Sequence, residues 1–123
     1  MPKYLRGEIW DVSFEPAEGS ETDKTRPAVV VSEDELGALD LRIVVPLTDW
    51  KQWYEKAEWI IEFKATKDNG LDKRSGADCF QVRSVSITRI EVKRGVATPG
   101  QVDELAAGIA LCVGWTGWNL ADQ

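Results

Sequence analysis

The run Pro27-Ala28-Val29-Val30-Val31-Ser32 constrains the fold of this chain more than any other segment. It is β-branched and apolar on both faces, so it is expected to form a central strand covered on each side. Just before it, Trp10, Val12 and Phe14 alternate with Asp11 and Ser13, the two-residue period of a half-buried strand. Residues 15–25 contain Pro16, Gly19 and several charges, and read as a long exposed loop, a length that often carries function in a small domain. This loop ends in Arg26. Ser32 is placed to cap a short helical turn over residues 33–36, stopped by Gly37. Residues 41–46 form a third strand. Pro46 has no N–H for a sheet ladder and is expected at the strand's end or on an edge, with Thr48 just beyond. An arginine and a threonine presented from strand ends suit a grip on phosphate, and so a protein acting on a nucleic-acid backbone.

The irregular residues 49–56 hold Trp50, Trp53 and Tyr54. Residues 59–63 are a fourth strand, and Asp68-Asn69-Gly70 is a strong turn signal. Residues 77–87 are expected to form a fifth strand, with Cys79, Gln81 and Arg83 on one face and Phe80, Val82 and Ser84 on the other. Residues 90–96 form a sixth. The period then changes. Thr98-Pro99-Gly100-Gln101 is a capping box with proline at the first helical position. Val102, Leu105, Ile109, Cys112 and Val113 recur at helical spacing, and Gly114 ends the helix. The aromatic tail carries Trp115 and Trp118, expected to cover the core or a dimer seam. Short strands with turn signals and a single late helix predict a mainly β fold, either a small SH3-like barrel or a strongly bent antiparallel sheet closed by a C-terminal helix.

The 123 residues fit one domain spanning 1–123. Histidine is absent, which excludes a Ser-His-Asp triad, a Cys-His pair, a zincin site and a paired-histidine ribonuclease. No Walker loop or Gly-x-Gly-x-x-Gly fingerprint supports nucleotide hydrolysis or dinucleotide binding. Cys79 and Cys112 have neither metal-ligand nor disulfide spacing and are expected to be buried free thiols. No apolar run approaches the roughly 18 residues that span a bilayer, and the opening Met1-Pro2-Lys3-Tyr4-Leu5-Arg6 lacks a signal-peptide core, so a cytoplasmic protein without membrane contact is expected. The net charge is −6, unusual for a nucleic-acid binder. Residues 64–94, however, hold eight basic and four acidic side chains, a net of +4. This describes either a locally basic face or ordinary mixed surface charge.

The ordered segments Arg6-Gly7-Glu8-Ile9-Trp10-Asp11-Val12, Gly19-Ser20-Glu21, Thr25-Arg26-Pro27-Ala28-Val29-Val30, Val45-Pro46-Leu47-Thr48, Asn69-Gly70-Leu71 and Gln81-Val82-Arg83-Ser84, followed by the C-terminal helix, resemble the MazF/PemK-type toxins of bacterial toxin–antitoxin pairs. The resemblance implies an SH3-like barrel and a homodimer. It further implies metal-independent, sequence-specific cleavage of single-stranded RNA without a cofactor, leaving 2′,3′-cyclic phosphate and 5′-hydroxyl ends. A cognate antitoxin protein is the implied partner. It assigns catalysis to Arg26 and Thr48, with Glu21 orienting Arg26 or accepting the 2′-hydroxyl proton. RNA contacts fall to Ser20, Lys24, Trp50, Lys67, Lys73, Arg74, Gln81 and Arg83, with Trp53 and Tyr54 completing a stacking platform beside Trp50. The chemistry agrees, because a guanidinium offers a phosphate two parallel charged donors and keeps its charge, while a threonine hydroxyl adds one more. The bland alternatives are a loop-pinning salt bridge from Arg26 to Glu21 or Glu15, and a turn role for Thr48. The chain departs from the family pattern at Phe80, where many members carry an acid before the glutamine. Asp78, two residues earlier, is not expected to replace it. A gyrase-poisoning toxin on the same fold and a catalytically silent SH3-like binding module are the competing functions.

Overall fold

The computed structural model describes residues 3–115. Seven strands, β1 (Glu8–Ser13), β2 (Thr25–Val30), β3 (Leu41–Asp49), β4 (Ile60–Phe63), β5 (Ser75–Asp78), β6 (Arg83–Ser86) and β7 (Ile90–Val96), precede one helix, α1 (Pro99–Cys112). They form an antiparallel sheet in the order β4-β5-β3-β2-β1-β7, with β6 also pairing to β3. The sheet does not close into a barrel. A backbone hydrogen bond of 2.9 Å from Val96 N–H to the Asp68 carbonyl ties β7 to the turn after β4. Of the two expected architectures, the structure is therefore the bent sheet with a C-terminal helix.

The central strands bury both faces, as their composition requires. Ile9, Val29, Val31, Val45, Leu47, Phe63 and Ala77 point to α1 and pack with Val102 and Leu105. Trp10, Val12, Phe14, Ala28, Val30, Val44, Val85 and Ile90 form a second core on the opposite face. Farther along that face, Tyr54, Ala57 and Ile60 make a small third cluster. The capping box is present, with Gln101 N–H donating to Thr98 Oγ1 at 3.1 Å and Thr98 N–H to Gln101 Oε1 at 2.9 Å. The Asn69-Gly70 turn is also present. Gly70 takes φ +65°, and the buried Asn69 accepts from the N–H groups of Thr66 and Leu71 while donating to the Lys64 carbonyl. Cys79 is a buried thiol and Cys112 a partly buried one, both free. No helix among the described residues is long and apolar enough to cross a membrane.

Several local expectations fail for identifiable reasons. Ser32 caps no helix: its hydroxyl accepts from Ile43 N–H, and the 3₁₀ turn Asp34–Leu36 starts after Glu33 without a side-chain cap. Residues 77–87 are not one strand. Asp78 accepts from Phe80 N–H and turns the chain into a 3₁₀ helix, Cys79–Gln81, before β6 begins. Alternation therefore breaks at Cys79, and Phe80 is 69% exposed. Val113 leaves the helical stripe as the C-cap residue, ahead of Gly114 at φ +75°, and is exposed. Trp115 is also exposed and covers no core among the described residues, while Trp118 lies outside them. The basic segment is half neutralised: of its eight basic residues, Lys73, Arg74, Lys93 and Arg94 each meet a carboxylate.

Pro46 lies inside β3, not at its end, and Thr48 is within the strand. The ladder geometry explains this. Val31 N–H donates to the Ile43 carbonyl, so the strict alternation of an antiparallel pair aims Pro46 away from β2. Its nitrogen faces the interval where β3 changes partner, from Arg83 of β6 at Val44 to Ala77 of β5 at Leu47. No ladder hydrogen bond is lost there.

Arg42 fastens the start of β3. It is only 7% exposed and donates to the carbonyls of Lys3, Tyr4, Gly37, Leu39 and Leu41 at 2.7–3.3 Å. Arg42→Met is expected to orphan those carbonyls and to cost about 2–4 kcal/mol. The check is the urea midpoint, which should fall with an unchanged m-value.

Candidate active site

The β2–β3 ladder pairs Val30 with Val44, Val29 with Val45 and Ala28 with Pro46. Its next step would set Pro27 against Leu47. Phe14 N–H donates to the Lys24 carbonyl, and the same alternation then aims the Pro27 nitrogen away from β1, toward β3. Proline has nothing to donate, so the ladder stops and the two strands part. Continued one step further, the register sets Arg26 opposite Thr48, on the face away from α1. Directly opposed side chains share a face of the sheet, so both project into the opening that Pro27 leaves.

Two adjoining cavities share Arg26 and Thr48 in their walls. One, of about 420 Å³, is also lined by Ser20, Glu21, Asp23, Trp53, Tyr54 and Asp78, with Thr22, Lys51 and Gln81 completing it. The other, of about 260 Å³, adds Lys73, Arg94, Asp49, Asp72 and the apolar Pro27 and Leu71. Arg26 and Thr48 thus sit on the divide between them.

Arg26 is held lightly. Its Nε donates to the Asp23 carbonyl at 3.3 Å, and its Nη2 lies 3.5 Å from Asp23 Oδ1. The side chain is 31% exposed, and ion pairs of this kind contribute about 0–1 kcal/mol. A phosphate can displace such a partner. The alternative salt bridge to Glu21 or Glu15 does not form, because both carboxylates are used inside the loop. Glu21 Oε1 accepts from Glu18 N–H at 2.8 Å, and Glu15 Oε1 accepts from Lys24 N–H at 2.7 Å.

Thr48 is held from the other side, its Oγ1 lying 2.9 Å from the Tyr54 hydroxyl. Tyr54 is the buried residue of the 3₁₀ helix Gln52–Lys56, and its ring stands edge-on to Trp50 and Trp53 at centroid distances of 5.4 and 4.7 Å. Trp53 is 56% exposed, whereas the ring of Trp50 is covered by the Arg74 guanidinium 4.2 Å away. Trp53, rather than Trp50, presents an open aromatic surface to the site.

The remaining sequence candidates divide. Ser20, Glu21 and Gln81 join Arg26 and Thr48 in the larger cavity, and Lys73 joins them in the smaller. Gln81 spends both ends of its amide on the loop, Nε2 donating to the Ser20 carbonyl and Oε1 accepting from Thr22 N–H. Arg83 lines an adjoining hollow of about 120 Å³ beside Phe14 and Phe80, which shares Glu21, Thr22 and Gln81 with the larger cavity. Arg74 is committed to Glu62 and Trp50. Lys24 and Lys67 are exposed side chains of the loops, Lys24 at φ +63°. Asp78 is brought into the larger cavity although Phe80 is not. Burial pushes the Asp78 carboxyl above the ordinary aspartate value, outweighing the N–H groups of Phe80 and Gln81 and the charge of Lys51. Burial likewise drives Cys79 up to about 12, assisted by Cys112 and Asp78, so this thiol stays protonated and takes no part. Sequence reasoning missed Asp23, Lys51 and Arg94, whose places depend on register and loop path.

The chain is 32% identical over 112 residues to endoribonuclease MazF9 of Mycobacterium tuberculosis, covering 86% of this chain and 92% of that protein. Among solved structures, MazF of Deinococcus radiodurans superposes with a TM-score of 0.74 at 20% identity, over 89% of this chain and 96% of that one. A mycobacterial endoribonuclease solved with its cognate antitoxin gives 0.69 at 15% identity, over 94% and 98%. These structural likenesses concern the fold. Residues 5–113 match the family described as the PemK-like, MazF-like toxin of type II toxin–antitoxin systems, and the chain belongs to that family.

Proposed function

We propose that this protein is a metal-independent endoribonuclease that cuts single-stranded RNA at short sequences, acts in the cytoplasm, and is restrained by a cognate antitoxin. The observation that carries this reading is the shared position of Arg26 and Thr48 on the divide between two cavities, one of them with an open aromatic wall. A strand of RNA laid across that divide brings one phosphodiester to both groups. Attack by the 2′-hydroxyl builds charge on a five-coordinate phosphorus. Arg26 meets that charge with paired N–H donors and Thr48 with its hydroxyl. The P–O5′ bond breaks, leaving a 2′,3′-cyclic phosphate and a 5′-hydroxyl. An unpaired base stacks on Trp53. Leu36, Leu39, Leu41 and Ile43, close in sequence, are each exposed apolar side chains, which supports the homodimer reading.

The 2′-hydroxyl must also lose its proton. With no histidine in the chain, a carboxylate is the natural acceptor. Asp23 holds Arg26, and Glu21 closes its own loop. Asp78 is the carboxylate left, and its raised proton affinity makes it a better base than an ordinary aspartate. It takes the role for which Phe80 has no chemistry, and Asp23, not Glu21, orients Arg26.

Purified protein incubated with a long single-stranded RNA in EDTA is expected to yield discrete fragments, and Arg26→Ala to lower the rate on the order of a hundredfold or more. Intact RNA together with gyrase inhibition would instead identify a gyrase poison, and inertness in both assays a silent binding module. A base acts ionised, so the cleavage rate should climb as pH rises through the raised Asp78 pKa and then level off. Asp78→Asn should abolish that limb and lower the plateau about a hundredfold, read from a rate–pH profile.

A further inference from the structure

We infer that Tyr54 is a positioning residue for Thr48: its phenol donates to Thr48 Oγ1 and so directs the threonine's own proton at the scissile phosphate. This rests on the endoribonuclease reading above.

The two oxygens are 2.9 Å apart, and either could donate in the free protein. A threonine hydroxyl has one proton and two lone pairs. A phosphate oxygen only accepts. If Thr48 gave its proton to Tyr54, it would have nothing to offer the substrate. Tyr54 O–H to Thr48 Oγ1, then Thr48 O–H to phosphate, is the arrangement in which both hydroxyls are used. Each bond in such a chain polarises the next.

The surroundings are built for this contact. Gly76 is the register partner of Thr48 on β5. A Cβ on Gly76 would lie 2.6 and 2.7 Å from Cδ2 and Cε2 of the Tyr54 ring, and 2.8 Å from Ile60 Cγ2. The residue opposite Thr48 therefore has no side chain, and the tyrosine ring occupies that space. Ile60 packs with Tyr54 in the same cluster, and the edge-on indoles of Trp50 and Trp53 flank the ring. The phenol is thus delivered to Thr48 by a ring with little rotational freedom, which is what a preorganised donor requires. Trp53 is on the same 3₁₀ helix, so one short element carries both the exposed stacking surface and the group that orients Thr48.

Tyr54→Phe keeps the ring and removes only the oxygen, so the variant should fold. Circular dichroism and the thermal midpoint check that. On a single-stranded RNA the wild-type protein cuts, Tyr54→Phe is expected to lower kcat about tenfold with KM nearly unchanged, since an orienting bond matters in the transition state. In a Thr48→Ala background, Tyr54→Phe should cost almost nothing more. The loss should be that of Thr48→Ala alone rather than the product of the two losses. Wild-type kcat in Tyr54→Phe, or losses that multiply, would overturn the proposal while leaving the endoribonuclease reading intact. A wild-type protein that leaves RNA whole would overturn both.

Discussion

Everything at the candidate site follows from where the β2–β3 ladder ends. Val29 and Val45, and Val30 and Val44, lock the two strands together between two apolar cores. Within three residues that lock gives way, because Pro27 turns a nitrogen without hydrogen toward β3. The backbone here is pinned on one side and released on the other. Arg26 remains paired to β1 through Val12, and Thr48 remains paired to β5 through Gly76. The backbone of each residue is therefore fixed, yet the two are not closed against each other. A phosphate site needs this combination, since donors must be fixed before substrate arrives and a gap must be left for the anion.

The two ends of the opening are maintained by different means. On the Arg26 side, the loop is folded onto itself by short carboxylate–amide bonds, Glu15 to Lys24 and Glu21 to Glu18, and is anchored from across the sheet by Gln81. On the Thr48 side, apolar and aromatic packing takes over through Tyr54, Ala57 and Ile60. Polar bonds in an exposed loop contribute about 1 kcal/mol each, and burial of an aromatic ring more. The arginine end is consequently the more adaptable wall and the threonine end the fixed reference, which suits a guanidinium that must exchange Asp23 for a phosphate.

The architecture was largely legible because it depends on period. Alternation at Trp10, Val12 and Phe14, the doubly apolar Val29-Val30-Val31, and the helical repeat after Thr98 each state which surface is buried. What could not be read was governed by single side chains acting on backbone. Asp78 accepting from Phe80 N–H breaks a strand that the alternation of residues 77–87 would continue, and Pro46 is harmless mid-strand only because β3 changes neighbour there. The grouping of Arg26, Thr48 and Glu21 was accessible through the order of short segments. The approach of Asp78 and Lys51 was not, nor was the burial of Tyr54 against Thr48 in place of a part in the stacking platform, since these depend on strand register and on a glycine whose only mark in the sequence is its small size.

The acidic character of the chain is compatible with RNA once distance is considered. At physiological ionic strength, charges are screened over about 8 Å, so the net −6 acts on the encounter with RNA and hardly on a bound phosphate. The bound phosphate responds to its immediate neighbours. Asp49 is tied to Lys73, Asp72 to Arg94 and Asp23 to Arg26, so three of the five carboxylates in the walls are matched by a cation of the same site, while Glu21 bonds within its loop and Asp78 has no ion-pair partner among the described residues. An entering phosphate competes for those cations pair by pair. Arg94 has further partners in Asp11 and the Gly70 carbonyl, and so stays in place. Arg26 has only Asp23 and yields. The ion pairs around the opening therefore divide its cations: Arg94 is fixed by several partners, while Lys73 and Arg26 each have one carboxylate at 3.5 Å and are readily released, and Arg26 is the one that stands opposite Thr48.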